Sequence, residues 1–208
     1  MKERPILFSA PMVRALLAGT KTQTRRIFKP ERMTWDANGR YTTHAMRGGE
    51  LSITGSGPFE PSSWLHYCPY GQPGGDRLYV RETWAAPHAY DHLPPRLIPQ
   101  DARIHYAATE DRGGLLWRPS IHMPRWASRI TLEVTGVRVE RLQDISAADA
   151  RAEGCPDKPV DGAEQASIDL LAKLWYHDLW EQINGLDSWA ANPWVWVVEF
   201  KRVKGDAA

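Results

Sequence analysis

Alternation of apolar and polar residues is strongest over residues 127–145. The apolar members of this pattern are Ile130, Leu132, Val134, Val137 and Val139. A period of two over this length is typical of a strand with one buried face. The pattern slips by one residue at Gly136, which predicts a β-bulge. The sequence therefore predicts one long, bulged strand.

The first 28 residues change their hydrophobic period twice. Residues 6–8 predict a short strand. Ser9 followed by Pro11 predicts the start of a helix, because serine caps helix N-termini and proline fits the first turn. Gly19 is placed to end this helix in the left-handed conformation. The threonine-rich residues 20–28 then predict a second strand.

Two later segments have helical spacing. Ser146 and Asp149 are spaced as in a capping box, and Gly154 is placed to close this short helix. Residues 163–183 predict a longer helix. Its apolar positions are Ile168, Leu171, Leu174, Trp175 and Leu179. Further strands are predicted at residues 77–84 and in the final stretch "NPWVWVVEFKRV".

Two irregular segments interrupt these elements. Residues 29–75 contain several turn dipeptides and predict a hairpin with loops, and residues 85–126 are rich in His, Pro and Trp. We interpret both as long insertions. Because strands dominate and helices are short, the predicted fold class is α+β, mainly β: a single barrel-like domain over residues 1–208 with short flanking helices and two loop insertions.

Charge is distributed unevenly along the chain. The 208 residues carry a net charge of only +1, which argues against a non-specific nucleic-acid coat. Residues 1–30, however, contain seven Lys or Arg and one Glu, a local charge of +6. The sequence therefore predicts that an anionic or electron-rich partner is drawn to the N-terminal segment.

Cysteine usage and hydropathy indicate the cellular setting. Cys68 and Cys155 lie 87 positions apart without zinc-ligand spacing, which disfavours a disulfide framework or a structural metal. No apolar run approaches the roughly 18–20 residues that span a bilayer, and no charged-then-apolar leader is seen. We expect a cytoplasmic protein.

The segment "AGTKTQTRR" places Lys21, Thr24 and Arg26 just after the first predicted helix. Alone, such a threonine is ordinarily a strand residue and such a lysine a solvated charge. The segment belongs to a set of four blocks that occur in this order: "ILFSAPMVRALLAGTKTQTRR", "GDRLYVRETW", "RITLEVTGVRVERLQDISAADARAEG" and "WVWVVEF". These blocks, under half of the chain, resemble the ASCH superfamily of PUA-like β-barrels.

The resemblance implies a fold and an activity. It implies a PUA-like pseudo-barrel, and the insertion containing "WRPSIHMPRWASR" is similar to the larger ASCH proteins of phages and prophages. Small ASCH proteins include bacterial amidohydrolases that deacetylate N4-acetylcytidine with a lysine, a threonine and a glutamate. Their G-x-K-x-x-T-x-R motif is matched by Gly19, Lys21, Thr24 and Arg26. Their glutamate is matched by register by Glu153.

These residues are the predicted catalytic group. Thr24 is the nucleophile, Lys21 the base and Glu153 the acid or orienting group. Lys21 must be neutral to act, and burial together with the like charges of Arg25 and Arg26 would lower its pKa. The spacing of three requires Lys21 to lie in a turn, within hydrogen-bond reach of Thr24.

Substrate binding is predicted for five residues: Ser9, Arg26, Glu82, Trp84 and Trp126. Arg26 could hold an oxyanion or the base carbonyl. Glu82 could accept a hydrogen bond from a cytosine amino group. Trp84 and Trp126 flank the second insertion and could stack on a base, although core packing is the ordinary role of such residues.

Two alternatives to amide hydrolysis stay open. The first is a PUA-like RNA-binding module that holds a nucleotide without chemistry. The second is a ribonuclease, as some ASCH members are described, although no tight Asp/Glu/His cluster is seen in the sequence. Under each, the expected partner is a modified cytidine nucleoside or RNA and not a membrane. No cofactor or metal is expected, and a monomer is favoured.

Overall fold

The computed structural model describes residues 1–28, 42–45, 50–54, 64–111, 113–156 and 164–203. The fold is α+β and mainly β, as predicted. The strands are β1 (Glu3–Leu7), β2 (Gln23–Ile27), β3 (Thr42–Ala45), β4 (Glu50–Thr54), β5 (Trp64–Tyr67), β6 (Arg77–Arg81), β7 (Trp84–Ala85), β8 (His105–Tyr106), β9 (Thr131–Arg141) and β10 (Trp194–Arg202). The α-helices are α1 (Ala10–Ala18), α2 (Ala147–Ala152) and α3 (Gln165–Asn184). Short 3-10 helices lie at His88–Tyr90, Pro95–Leu97, Ser120–His122, Arg125–Ala127 and Leu142–Asp144.

The main sheet has five strands in the order β1-β6-β9-β10-β2. The β1–β6 pair is parallel and the other pairs are antiparallel. Over the part of the chain that the structure describes, this sheet is open, so the expected barrel closure is not seen there. The edge strands β1 and β2 are joined by α1 and not by backbone hydrogen bonds.

The predicted long strand is confirmed as β9. Gly136 pairs with Glu199 of β10, but the next pair joins Val134 to Phe200, so Thr135 is the extra residue. The bulge therefore lies beside Gly136, where the hydrophobic pattern slips. It keeps the apolar residues on both sides of the slip facing the core.

The opening strand, helix and second strand are also confirmed. Ser9 has the extended backbone of an N-cap, although its side chain makes no capping hydrogen bond. Gly19 ends α1 with φ of 78° and donates its N–H to carbonyls of the last turn. The chain can reverse there because glycine adopts a positive φ without a steric penalty.

Helix α2 begins with the predicted capping box. The Ser146 hydroxyl accepts from the Asp149 N–H at 3.0 Å, and the Asp149 carboxylate accepts from the Ser146 N–H at 3.2 Å. Helix α2 ends at Glu153, and Gly154 follows with φ of 100°. Six helical residues are thus fixed at both ends, which places Glu153 next to β2.

Helix α3 forms where predicted, but its buried face differs. Leu171 and Leu174, expected on the apolar face, are 51% and 49% exposed. Tyr176 and Trp180 are buried instead and pack in a cluster with Val195 and Val197 of β10. Aromatic side chains bury more area than leucine, so they decide which face meets the sheet.

Two clusters cover the two faces of the main sheet. Residues of α1 pack on one face with Trp196, Val198 and Phe200 of β10. Residues of α2 and α3 pack on the other face with Val195 and Val197. Among the described helices, none combines the length and hydrophobicity needed to cross a membrane.

The predicted insertions contain structure of their own. In the first, β3, β4 and β5 form a three-stranded antiparallel sheet, one strand more than the expected hairpin. Residues 29–41, 46–49 and 55–63 of this insertion lie outside the described residues. In the second, short 3-10 helices and the β7–β8 pair surround a separate cluster that includes Trp84, Met123 and Ala127.

Candidate functional site

Lys21 lies in the turn between α1 and β2. Its backbone N–H donates to Ala15 O at 3.2 Å, and it forms an isolated β-bridge with Glu153. Strand β2 begins two residues later, at Gln23. The predicted helix exit is confirmed, with Lys21 in the turn and Thr24 in the strand.

The Lys21 side chain is bound by Glu153 alone among the hydrogen-bond acceptors of the described residues. Its Nζ lies 2.7 Å from Glu153 Oε2 and 2.9 Å from the Glu153 backbone oxygen. The two side chains are 0% and 2% exposed. The structure therefore brings together two of the three predicted catalytic residues in a water-poor setting.

The pKa of Lys21 is lowered from its ordinary value, and burial is the main cause. The Glu153 carboxylate opposes this effect, and the positive charges of Arg26 and Arg25 add to it. Both the burial and the like charges act in the direction predicted from the sequence. At a given pH, the neutral amine is therefore a larger fraction of Lys21 than of a solvated lysine.

Thr24 is buried, but it is not hydrogen-bonded to Lys21. Its Oγ1 has no hydrogen-bond partner within the described part of the chain. The expected direct Lys21–Thr24 contact is therefore wrong for this structure. Gln23 and Arg25 of β2 both contact Asp149 of α2, so Thr24 between them projects from the other face of the strand, whereas Lys21 lies in the turn before it.

A cavity of about 320 Å³ lies beside this group. Its polar lining consists of Ser9, Thr24, Arg25, Arg26, Glu153 and Asn184. Its remaining lining comes from Leu7, Met12, Ile27, Tyr176, Leu179, Trp180 and Ile183. The volume falls in the range of small-molecule pockets, which combine an apolar wall with a few polar groups.

Helix α3 supplies one wall of this cavity, which the sequence did not predict. Trp180 is 4% exposed, and its Nε1 has no hydrogen-bond partner within the described ranges. An unpaired buried N–H is uncommon in proteins. The aromatic residues of α3 carry no local signal that distinguishes a cavity wall from core packing.

Arg26, predicted to bind substrate, is fixed at the cavity by backbone contacts. Its Nη2 donates to Leu7 O at 2.9 Å and its Nη1 to Arg25 O at 3.3 Å. Its guanidinium lies over the Phe8 ring, 5.3 Å from the ring centroid. These contacts hold a positive charge at the cavity lining. Ser9, another predicted binding residue, is exposed and also lines the cavity.

The other three predicted binding residues do not line this cavity. Both oxygens of Glu82 are held by Arg129, at 2.9 and 3.0 Å. Trp84 is 0% exposed and packs edge-to-face on Trp126, with ring centroids 6.5 Å apart. Glu82 is therefore held in an ion pair with Arg129, and Trp84 belongs to the buried cluster of the second insertion.

No group of three or more His, Cys, Asp or Glu residues suited to a metal ion occurs in the described part of the chain. Comparisons of the chain with protein-family models, with curated proteins and with solved structures give no match.

Proposed function

We propose that this chain is an ASCH-type amidohydrolase that converts N4-acylated cytidine to cytidine and a carboxylic acid. One observation carries the proposal: a buried Lys21–Glu153 pair adjoins a cavity that is also lined by Thr24. A lysine whose pKa burial lowers and a hydroxyl with no partner among the described residues are the two groups that a base-activated nucleophile requires.

The order of elements supports the family resemblance. The motif residues follow α1, and Glu153 ends the short helix after the long strand β9. These are the two places at which the ASCH amidohydrolases carry their catalytic residues. Segments 132 positions apart thus meet in one pair, at Lys21 and Glu153.

In the proposed reaction, neutral Lys21 takes the proton of the Thr24 hydroxyl as Oγ1 attacks the acyl carbonyl carbon. The tetrahedral intermediate collapses, the bond from the acyl carbon to N4 breaks, and the Lys21 ammonium returns its proton to the departing N4. Lys21 then deprotonates a water that attacks the acyl-threonine ester, the bond from the acyl carbon to Thr24 Oγ1 breaks, and the Lys21 ammonium returns its proton to Oγ1. Glu153 orients Lys21 throughout.

Substrate binding has to complete this geometry. Thr24 Oγ1 must come within reach of the Lys21 amine, because the two are not hydrogen-bonded in this structure. Catalytic hydrogen bonds are often long in ligand-free enzymes and tighten in the substrate complex. Arg26, held at the cavity lining, is placed to stabilise the substrate oxygen that gains negative charge.

Cytidine release tests the proposal. Purified protein is incubated with N4-acetylcytidine, and cytidine is quantified by chromatography. Lys21→Met should lower the rate by about 10²-fold or more, since a positioned base contributes 10²–10⁴. Lys173→Met, at an exposed position of α3, is the matched control and should leave the rate unchanged. Absence of cytidine release by the wild-type protein would overturn the proposal.

One observation favours a second candidate function, RNA binding without catalysis. Arg81 and Arg125 lie over the Tyr79 ring, at 5.5 and 5.3 Å from its centroid, on the outer face of β6. Arginines interleaved with an aromatic ring are typical of nucleic-acid surfaces. Salt-sensitive RNA binding that survives Thr24→Ala, with no cytidine release, would support this function instead.

A further inference from the structure

Arg25 is a fully buried cation that faces three carboxylates. Its side chain is 0% exposed. Its Nη1 lies 3.3 Å from Glu153 Oε1, its Nη2 lies 3.4 Å from Asp149 Oδ2, and its Nε donates to Glu140 Oε1 at 3.1 Å. The ASCH motif residues do not include this position.

The carboxylates around Arg25 are themselves anchored. Glu140 and Asp149 both accept from Arg138, at 3.0 and 2.9 Å. Asp149 also closes the capping box of α2 and accepts from Gln23 at 3.1 Å. The Arg25 guanidinium is thus fixed from β9 and α2 before it reaches Glu153.

Glu153 divides its two oxygens between two cations. Oε2 accepts from Lys21 at 2.7 Å, and Oε1 faces Arg25 at 3.3 Å. Because each oxygen has its own partner, the carboxylate cannot rotate without losing one of them. Lys21 consequently meets a single carboxylate oxygen in a fixed direction.

We propose that Arg25 is a positioning residue for the Lys21–Glu153 pair, holding Glu153 Oε1 so that Oε2 alone orients the Lys21 amine. This inference rests on the proposed function, in which Lys21 acts as the base. Arginine suits the role because it presents several donors in a rigid fork and keeps its charge at any working pH.

Arg25 also supplies charge to the pair. With Arg25 present, Glu153 is compensated even when Lys21 is neutral. Without it, Lys21 would be the one cation of the described residues in contact with Glu153 and would hold its proton more strongly. Removing Arg25 should therefore raise the pKa of Lys21.

Among the described residues, the charged groups that act on Lys21 are Glu153, Arg26 and Arg25. Around Arg25, α3 contributes the Tyr176 ring, whose centroid lies 5.7 Å from the guanidinium carbon. Burial raises the pKa of Tyr176 well above its ordinary value, so this phenol stays neutral when Lys21 titrates. A shift on removing Arg25 therefore does not come from Tyr176.

The test measures kcat/KM for N4-acetylcytidine against pH. Arg25→Met should move the rising limb of the profile to higher pH by about one unit, the lower end of the shift that a close charge produces. The matched control, Arg151→Met, removes a positive charge from α2 whose partner is Asp169, 2.5 Å away, and should leave the limb in place. An unmoved limb in Arg25→Met would overturn the proposal.

Arg25→Lys is the second variant, which keeps the proposal testable if Arg25→Met does not fold. It keeps the charge but loses the fork, so kcat should fall with KM and the limb nearly unchanged. Wild-type kcat in Arg25→Lys would contradict the positioning role.

NMR titration of the Lys21 ammonium separates the two proposals. If the wild-type protein releases no cytidine, the proposed function fails, yet the Lys21 titration should still move to higher pH in Arg25→Met. An unshifted titration would refute the role of Arg25 independently.

Discussion

Glu153 and Glu82 are both 2% exposed, and both are paired with a cation, yet their surroundings differ. Glu153 shares its oxygens between Lys21 and Arg25 and lines a cavity. Glu82 gives both oxygens to Arg129, whose guanidinium stacks on Tyr106 at 3.9 Å from the ring centroid.

The difference lies in what each cation can do. Arginine cannot lose its proton at any working pH, so Arg129 cannot serve as a base beside Glu82. Lysine shifts its pKa readily when buried and can then serve as a base. Burial and pairing alone therefore do not identify a catalytic carboxylate. A carboxylate is a catalytic candidate when its partner can titrate and a cavity lies beside the pair.

The largest expected effect comes from Thr24, which lines the same cavity as Glu153. Thr24→Val removes the hydroxyl and keeps the shape, so cytidine release should fall by at least about 10³-fold. The free energy of unfolding should not fall, because an unpaired buried hydroxyl is also removed. Thr24→Ser is the control and should retain activity. Full activity in Thr24→Val would exclude Thr24 as the nucleophile.

The second effect contrasts the two pairs in stability. Arg129→Met leaves Glu82 buried without its partner, and loss of one member of such a pair costs about 3–5 kcal/mol of unfolding free energy. Lys21→Met should cost less, because Arg25 still faces Glu153. Urea unfolding of both variants measures the difference. Equal losses would mean that Arg25 does not compensate Glu153.

The third effect is a pair of opposite pH dependences. The pKa of Lys21 is lowered from its ordinary 10.5, so the unfolded chain binds more protons just below pH 10.5 and stability should rise with pH there. Burial raises the pKa of Glu82 above its ordinary 4.5 despite the Arg129 charge, so stability should fall as pH rises above 4.5.

Unfolding free energies measured across pH for wild type, Lys21→Met and Glu82→Gln check these slopes. Lys21→Met should remove only the alkaline slope, and Glu82→Gln should remove only the acidic slope. A Lys21→Met protein with the wild-type alkaline slope would show that Lys21 titrates normally.

The smallest effect concerns the helix that positions Glu153. Ser146→Ala removes the hydroxyl of the α2 capping box and should cost about 1 kcal/mol of unfolding free energy. The pH at which activity rises should stay unchanged, because the contacts of Glu153 are retained. A large shift of that pH would mean that α2, rather than Arg25, sets the position of Glu153.

Much of the fold could be predicted because its signals are local. The bulged strand β9, the left-handed Gly19 and the Ser146–Asp149 capping box are all written within short stretches of sequence. The turn position of Lys21 follows from Gly19 in the same way. The match of Glu153 to the catalytic glutamate depends on the family resemblance. The structure brings Glu153 to Lys21.

The remaining features depend on contacts between distant segments. Contacts with β10 decide which face of α3 is buried. Helical spacing alone therefore predicts that Leu171 is buried, which is wrong, and does not point to Trp180. The residue types of Glu82 and Trp84 predict a binding role. The structure instead pairs Glu82 with Arg129 and packs Trp84 with Met123 in the cluster of the second insertion.

The most direct measurement is cytidine release from N4-acetylcytidine by wild type, Lys21→Met and Glu82→Gln in one experiment, corrected for the folded fraction by circular dichroism. We expect release by the wild type, a loss of about 10²-fold or more in Lys21→Met, and the wild-type rate per folded molecule in Glu82→Gln. Loss of activity in folded Glu82→Gln with retention in Lys21→Met would overturn the proposed site, since it would place the chemistry at Glu82.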